Sequence, residues 1–120
     1  MNKKTLVLGA SLNAKKYSNF AIKKLVDSAI ETVAVGLKSG EVLGVKINTE
    51  MVFFENLHTI TLYLNPKNQE IYYNYITSLK PKRVIFNPGT ENPELYTILK
   101  ENNIPFEVAC TLVLLSTNQY

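Results

Sequence analysis

The chain has 120 residues, 46% hydrophobic and 19% charged, with only 5 Gly and 5 Pro and a formal net charge of +3. This balance excludes a disordered tail, a collagen-like chain and a low-complexity linker. The length predicts one domain, residues 1–120, able to bury a core without staples. One Cys and one His, 52 positions apart, allow no internal disulfide and no zinc site within a monomer.

The charge is uneven. Residues 1–50 carry eight lysines against four acids, and residues 51–120 carry five basic groups against six acids. The excess is too small and scattered for a nucleic-acid face. A mildly basic half suits a small anionic ligand, with a solvated lysine surface as the plain alternative. No stretch approaches the roughly 20 apolar residues of a bilayer span. The opening MNKKT resembles a signal-peptide start, but the apolar run behind it is only five residues long and ends in a Gly-Ala-Ser turn. The expectation is a cytoplasmic protein with neither a nucleic-acid nor a membrane partner.

In chain order, residues 5–9 (TLVLG) read as a strand buried on both faces. A small, polar loop follows, and Ser18 is placed to cap a helix. Ile22, Leu25, Val26, Ala29 and Ile30 then recur at helical spacing. Residues 32–36 (TVAVG) form a second strand, parallel to the first because only a helix and short loops separate them. Residues 37–44 read as a loop, 45–47 as an edge strand at most, and 51–57 as a short turn. Residues 59–64 (TITLYL) form a third strand. Asn65-Pro66 starts a second helix, with Ile71, Tyr72, Tyr75, Ile76 and Leu79 as its apolar stripe and Lys80-Pro81 as its stop. Residues 83–87 (RVIFN) are a fourth strand, followed by a Pro88-Gly89 turn. Asn92-Pro93 opens a helix carrying Leu95, Ile98 and Leu99, and residues 106–109 (FEVA) are a fifth strand. Residues 111–115 (TLVLL) continue it or fold back along the edge. This alternation predicts an α/β fold, a three-layer α/β/α sandwich around a five-stranded parallel sheet. The expected order is 3-2-1-4-5, with an extra edge strand left open.

In such sheets ligands lie beyond the carboxyl ends of the strands, where the strand order reverses. The first loop carries the argument. Gly9 lets backbone approach closely, Ala10 and Ser11 are small, and the helix entrance near Ser18 offers N–H groups to an anion. The loop is neither G-x-G-x-x-G nor a Walker A loop, so an ordinary tight turn stays open. At the end of the second strand stands Gly36-Leu37-Lys38. NAD-binding domains place an acid there for the ribose hydroxyls. A lysine instead suits a phosphorylated ribose, as in NADP or coenzyme A. A solvent lysine is the alternative.

Taken together, GASLN at 9–13 and YSN at 17–19 resemble the CoA-binding domain family. That Rossmann-like fold is related to the N-terminal domain of the succinyl-CoA synthetase α subunit. Its later strand ends P-V-N-P-K and its following loop closes L-G. Here Lys38 and Leu43-Gly44 remain, while Ala34 and Gly36 replace Pro and Asn. Phe86, Asn87 and Gly89 stand where the family often has W-x-Q-x-G, without the glutamine. Ile104 and Cys110 follow its C-terminal pattern. The resemblance implies that Gly9, Ala10 and Ser11 line a pyrophosphate loop. It implies that Asn13, Tyr17, Ser18 and Asn19 complete that loop or cap the helix. Lys38 would meet the ribose phosphate, and Leu64, Asn65 and Pro66 would lie along the adenine or pantetheine.

The remaining reactive side chains read as structural. No base is near Cys110 in sequence, and His58 falls at the amino end of its strand, opposite the expected site. Tyr63, Tyr72 and Tyr75 suit core packing better than a dimer surface. Glu91 and Glu94 flank a helix N-terminus, where negative charge is stabilising anyway. No nucleophile–base pair, metal cluster or acid pair can be assembled. The expected function is a small soluble protein that binds coenzyme A or an acyl-CoA, a binding or regulatory module without catalysis of its own. The rivals are an NADP-dependent or CoA-thioester-acting enzyme and a structural protein with a vestigial site. A homodimer or a partner protein is left open.

Overall fold

The structure, a computed structural model, describes residues 2–120. Strand β1 (Thr5–Ala10) is the most apolar run, and Leu6, Val7 and Leu8 are fully buried at the centre of the sheet. It pairs in parallel with β2 (Thr32–Gly36) on one side and β5 (Thr59–Leu62) on the other. Beyond β2 lie β4 (Val45–Asn48), parallel to it, and β3 (Gly40–Val42), antiparallel at the edge. Beyond β5 lie β6 (Arg83–Phe86) and β7 (Phe106–Val108), both parallel. Among the described residues the sheet thus has seven strands in the order β3-β4-β2-β1-β5-β6-β7.

Alternation along β1 sorts the two faces, because successive side chains point to opposite sides. Leu6 and Leu8, with Ile60, Leu62, Val84 and Phe86, face one core. That core is covered by α3 (Tyr73–Leu79) and α4 (Pro93–Glu101), through Tyr75, Ile76, Leu95 and Leu99. Val7, Ala34 and Ile47 face the other, covered by α1 (Tyr17–Asp27) through Ile22 and Leu25. Leu115 of α5 (Thr111–Ser116) packs against the same layer. The three-layer α/β/α class is as the alternation predicts.

The strand order differs from the expected 3-2-1-4-5. Residues 37–48 are more ordered than a loop and one edge strand. Leu43 and Gly44 both take positive φ (46° and 80°), which makes a tight two-residue hairpin turn. The hairpin carries β4 back beside β2, where Ala34 pairs Ile47. The position next to β2 is therefore filled, and residues 59–62 pair on the far side of β1 instead. The reversal of strand order falls between β1 and β5, not between β1 and residues 83–87.

Four local expectations are also corrected. Ser18 is not the cap of α1. It lies buried inside the first turn, and the cap position is Lys16. The helix ends at Asp27 rather than running to Ile30, because Ala29 turns left-handed (φ 59°). The second helix is broken into α2 (Pro66–Gln69), a 3₁₀ turn over Glu70–Tyr72 and α3, which leaves Ile71 exposed, off the apolar stripe. Residues 111–115 form the helix α5, not an edge strand. The caps read at Asn65 and Asn92 are present, each side chain accepting from an N–H three residues on.

Gly36 shows how tightly β1 and β2 close. A Cβ there would overlap the carbonyl oxygen of Ala10. A side chain such as the asparagine of the family pattern has no room here. Gly36→Ala is expected to lower unfolding free energy by about 3 kcal/mol, measured by urea denaturation. An unchanged midpoint would show that the two backbones can part.

Candidate functional site

A cavity of about 920 Å³ opens along the carboxyl edge of the sheet. Its walls come from the ends of four adjacent strands. From β1 come Gly9, Ala10, Ser11 and Asn13. From β2 come Gly36, Leu37 and Lys38. Tyr63, Leu64 and Asn65 follow β5, and Pro88, Gly89 and Thr90 follow β6. Adjacent strands lie about 4.8 Å apart, so the crevice crosses roughly 14 Å of strand ends. That shape suits an elongated ligand lying across them.

Gly9 has φ +96°, and a Cβ on it would lie 2.8 Å from the Tyr63 carbonyl oxygen. Glycine alone fits both the angle and the approach. The loop beyond is held by its own side chains. Ser11 Oγ accepts from the Asn13 N–H (3.0 Å), and Asn13 Oδ1 accepts from the Lys15 N–H (2.9 Å). Helix α1 then begins with no side-chain cap. Its first N–H groups remain for another acceptor, beside a positive dipole end. Tyr17 and Ser18 line the cavity at this point.

Lys16 and Lys38 both line the cavity, and no acidic side chain does so among the described residues. Burial pushes the Tyr63 phenol up to about 12. The nearby Thr61 and Thr111 hydroxyls offset only a fraction of this, and neither meets the phenol in good hydrogen-bond geometry. The lysines and the helix end therefore set the sign of the cavity, which favours an anion.

Two residues of the expected set stand apart. Pro66 does not line the cavity, because it is already the first residue of α2. Asn19 is 2% exposed and lies behind the loop, where its Nδ2 donates to the Ser11 carbonyl (2.9 Å). It ties the loop to the helix and presents no atom to the cavity.

Lys16 and Asn68, to which the sequence reading gave no individual role, also line the cavity, and Tyr72 was missed there altogether. Gln69 was missed as well. This buried amide donates to the carbonyls of Leu64 and Thr90 (2.8 Å each) and accepts from Asn92 Nδ2 (2.9 Å). One side chain thus fixes the β5 and β6 lips relative to each other. A lone glutamine in a polar stretch gives no sequence signal for this. Asn87 has the matching role, set deeper along the strand ends. Its Nδ2 donates to Thr61 Oγ1 (2.7 Å) and the Leu62 carbonyl (2.8 Å), and its Oδ1 accepts from the Thr111 N–H (2.8 Å). The residue standing in for the family's glutamine is a clamp beneath the β6 turn.

Elsewhere, His58 sits at the amino end of β5 as expected, with Nδ1 2.7 Å from Thr59 Oγ1. Burial, then Arg83, holds its pKa below 6.5. Tyr72 and Tyr75 are core residues, each 7% exposed. No group of three or more His, Cys, Asp or Glu could hold a metal among the described residues. No described helix is long and apolar enough to cross a membrane.

A doubly wound sheet with a crevice at its switch point defines a Rossmann-like class of α/β protein. Within that class the chain belongs to the CoA binding domain family, which it matches over residues 3–116. A protein of known crystal structure, described as uncharacterized, is 52% identical over 100% of this chain and 99% of its own, with TM-score 0.96. A Thermus thermophilus protein (18% identity, TM-score 0.86, covering 99% of this chain and 91% of its own) shares the fold. So does a hypothetical protein from Pyrococcus horikoshii OT3 (22%, 0.86, covering 98% and 84%). No curated protein matches. These findings support a compact CoA-binding-type module in general. None of them carries a nearer kinship to succinyl-CoA synthetase.

Asn87→Ala leaves the Leu62 carbonyl, the Thr61 hydroxyl and the Thr111 N–H short of a buried partner. It is expected to cost about 3 kcal/mol of stability. A thermal melt of the variant checks this, and a shift under about 2 °C would contradict the clamp.

Proposed function

We propose that this protein binds coenzyme A or an acyl-CoA as a binding or regulatory module without catalysis of its own. The observation that carries the reading is the cavity itself. It joins a close-approach glycine, an uncapped helix start and two lysines, with no acid among the described lining residues, across the ends of four strands. In this reading the pyrophosphate lies on Gly9, Ala10 and Ser11 at the start of α1, where N–H groups and the dipole meet it. Asn13, Tyr17 and Ser18 flank it, and Asn19 holds the loop from behind. Lys38, at the end of β2, meets the phosphate on the adenosine ribose. The pantetheine then runs over Leu64 and Asn65 toward the β6 turn, and Pro66 serves by starting α2 rather than by contact. The same lysine would serve the 2′-phosphate of NADP, the alternative ligand.

Lys38→Glu is expected to weaken coenzyme A binding about thirtyfold, the loss of one charge-assisted contact and its replacement by repulsion. Dephospho-CoA, which lacks that phosphate, should weaken no more than about twofold. Calorimetric titration of both ligands with both proteins reads the difference. Equal losses for the two would remove Lys38 from this role.

A further inference from the structure

Pro88 has two sides. One lines the large cavity at the β6 end, and the other lines a second, smaller cavity of about 190 Å³. This second cavity continues the same row of strand ends by one more strand. Its walls are Phe86 and Pro88 from β6 and its turn, Val108, Ala109 and Cys110 from β7 and beyond, and Glu91. Phe86 is fully buried, while Val108 stays 56% exposed at the rim. Most of this lining is apolar. The one charged group is the Glu91 carboxylate, whose Oε1 accepts from the Gly89 N–H (2.8 Å) and is thereby fixed beside the partition. No lysine or arginine lines it among the described residues.

We propose that this second cavity receives the acyl group of a short-chain, uncharged acyl-CoA. The inference rests on the coenzyme A reading above and specifies what that ligand carries. With the ribose phosphate held at the β2 end, the chain order of strand ends sends the thiol end toward Pro88. An acyl group on that sulfur then has one apolar recess ahead of it. The recess is shallow and open, with little apolar area in its walls, so it can cover only a short acyl chain. The charge limits it further. A free carboxylate at the acyl end would meet Glu91 with no cation to offset it.

Calorimetric titration with coenzyme A, acetyl-CoA, butyryl-CoA and succinyl-CoA tests this. Each buried methylene is worth about fourfold in affinity, so butyryl-CoA, with two more of them, is expected to bind up to about sixteenfold tighter than acetyl-CoA. Succinyl-CoA, with the same number of carbons, should bind about tenfold weaker than butyryl-CoA. Ala109→Leu fills the recess and should bring the butyryl-to-acetyl ratio close to one. Glu91→Gln keeps an oxygen for the Gly89 N–H, removes the charge and should narrow the butyryl-to-succinyl gap about fivefold. Native protein that binds coenzyme A but takes acetyl- and butyryl-CoA equally would overturn the acyl recess alone. A butyryl preference that survives Ala109→Leu, or a succinyl gap that Glu91→Gln leaves intact, would do the same. Failure of coenzyme A itself to bind would overturn this inference together with the reading beneath it.

Discussion

The end of β1 is squeezed between two backbones, and the site depends on that squeeze. On one side a side chain at Gly36 would overlap the Ala10 carbonyl, and on the other a side chain at Gly9 would strike the Tyr63 carbonyl and Leu64. The pairing slips between Leu8 and Ala10, which leaves Gly9 in its positive-φ turn. The chain must therefore leave the sheet at this point. It does so directly over the strand ends, and its loop runs into α1 with the helix start left uncapped. Close approach of backbone, and not any one polar side chain, produces a surface that a phosphate can reach.

Two buried amides hold the rest of the crevice to that point. Gln69 joins Leu64 to Thr90, and Asn87 joins β5 to α5. Each amide nitrogen makes two bonds and each amide oxygen one, so the cost of burying them is offset. Fixed lips matter for a ligand that spans several strands, because a loop ordered beforehand does not have to be ordered on binding. The chain of contacts continues from Asn92 through the Tyr73 hydroxyl to Glu94, which links the start of α3 to the start of α4. The turn that separates the two cavities is thus anchored from below and from the side, and Glu91 closes it from the end.

Most of the architecture was legible because the apolar runs and the asparagine caps carry local physics. Leu6 to Leu8, Val84 to Phe86 and Asn92-Pro93 each read correctly from their own neighbours. The hairpin over residues 40–48 did not. Its turn is Leu-Gly rather than Asn-Gly, so the usual chemical signal for positive φ at both positions is absent. That omission shifted the strand order, since β4 takes the place that residues 59–64 were expected to fill. Residues 111–115 show another limit. A short apolar run does not distinguish a strand from a helix, and the bond from Thr111 N–H to Asn87, a contact between residues 24 positions apart, helps anchor the helix start. The glycine loop and Lys38, singled out by type and spacing, do come to one cavity. Gln69 was not legible, because its role consists of contacts with residues remote in sequence.

The central claim is that one anionic nucleotide lies across four strand ends with its ribose phosphate at β2. Titration calorimetry of the native protein with coenzyme A, dephospho-CoA, NAD and NADP tests it most directly. The account predicts that coenzyme A binds tightest, that dephospho-CoA is weaker by the contribution of a single phosphate contact, about tenfold or more, and that NAD is weaker still. Equal binding of NAD and coenzyme A, or no heat with any of the four, would contradict it.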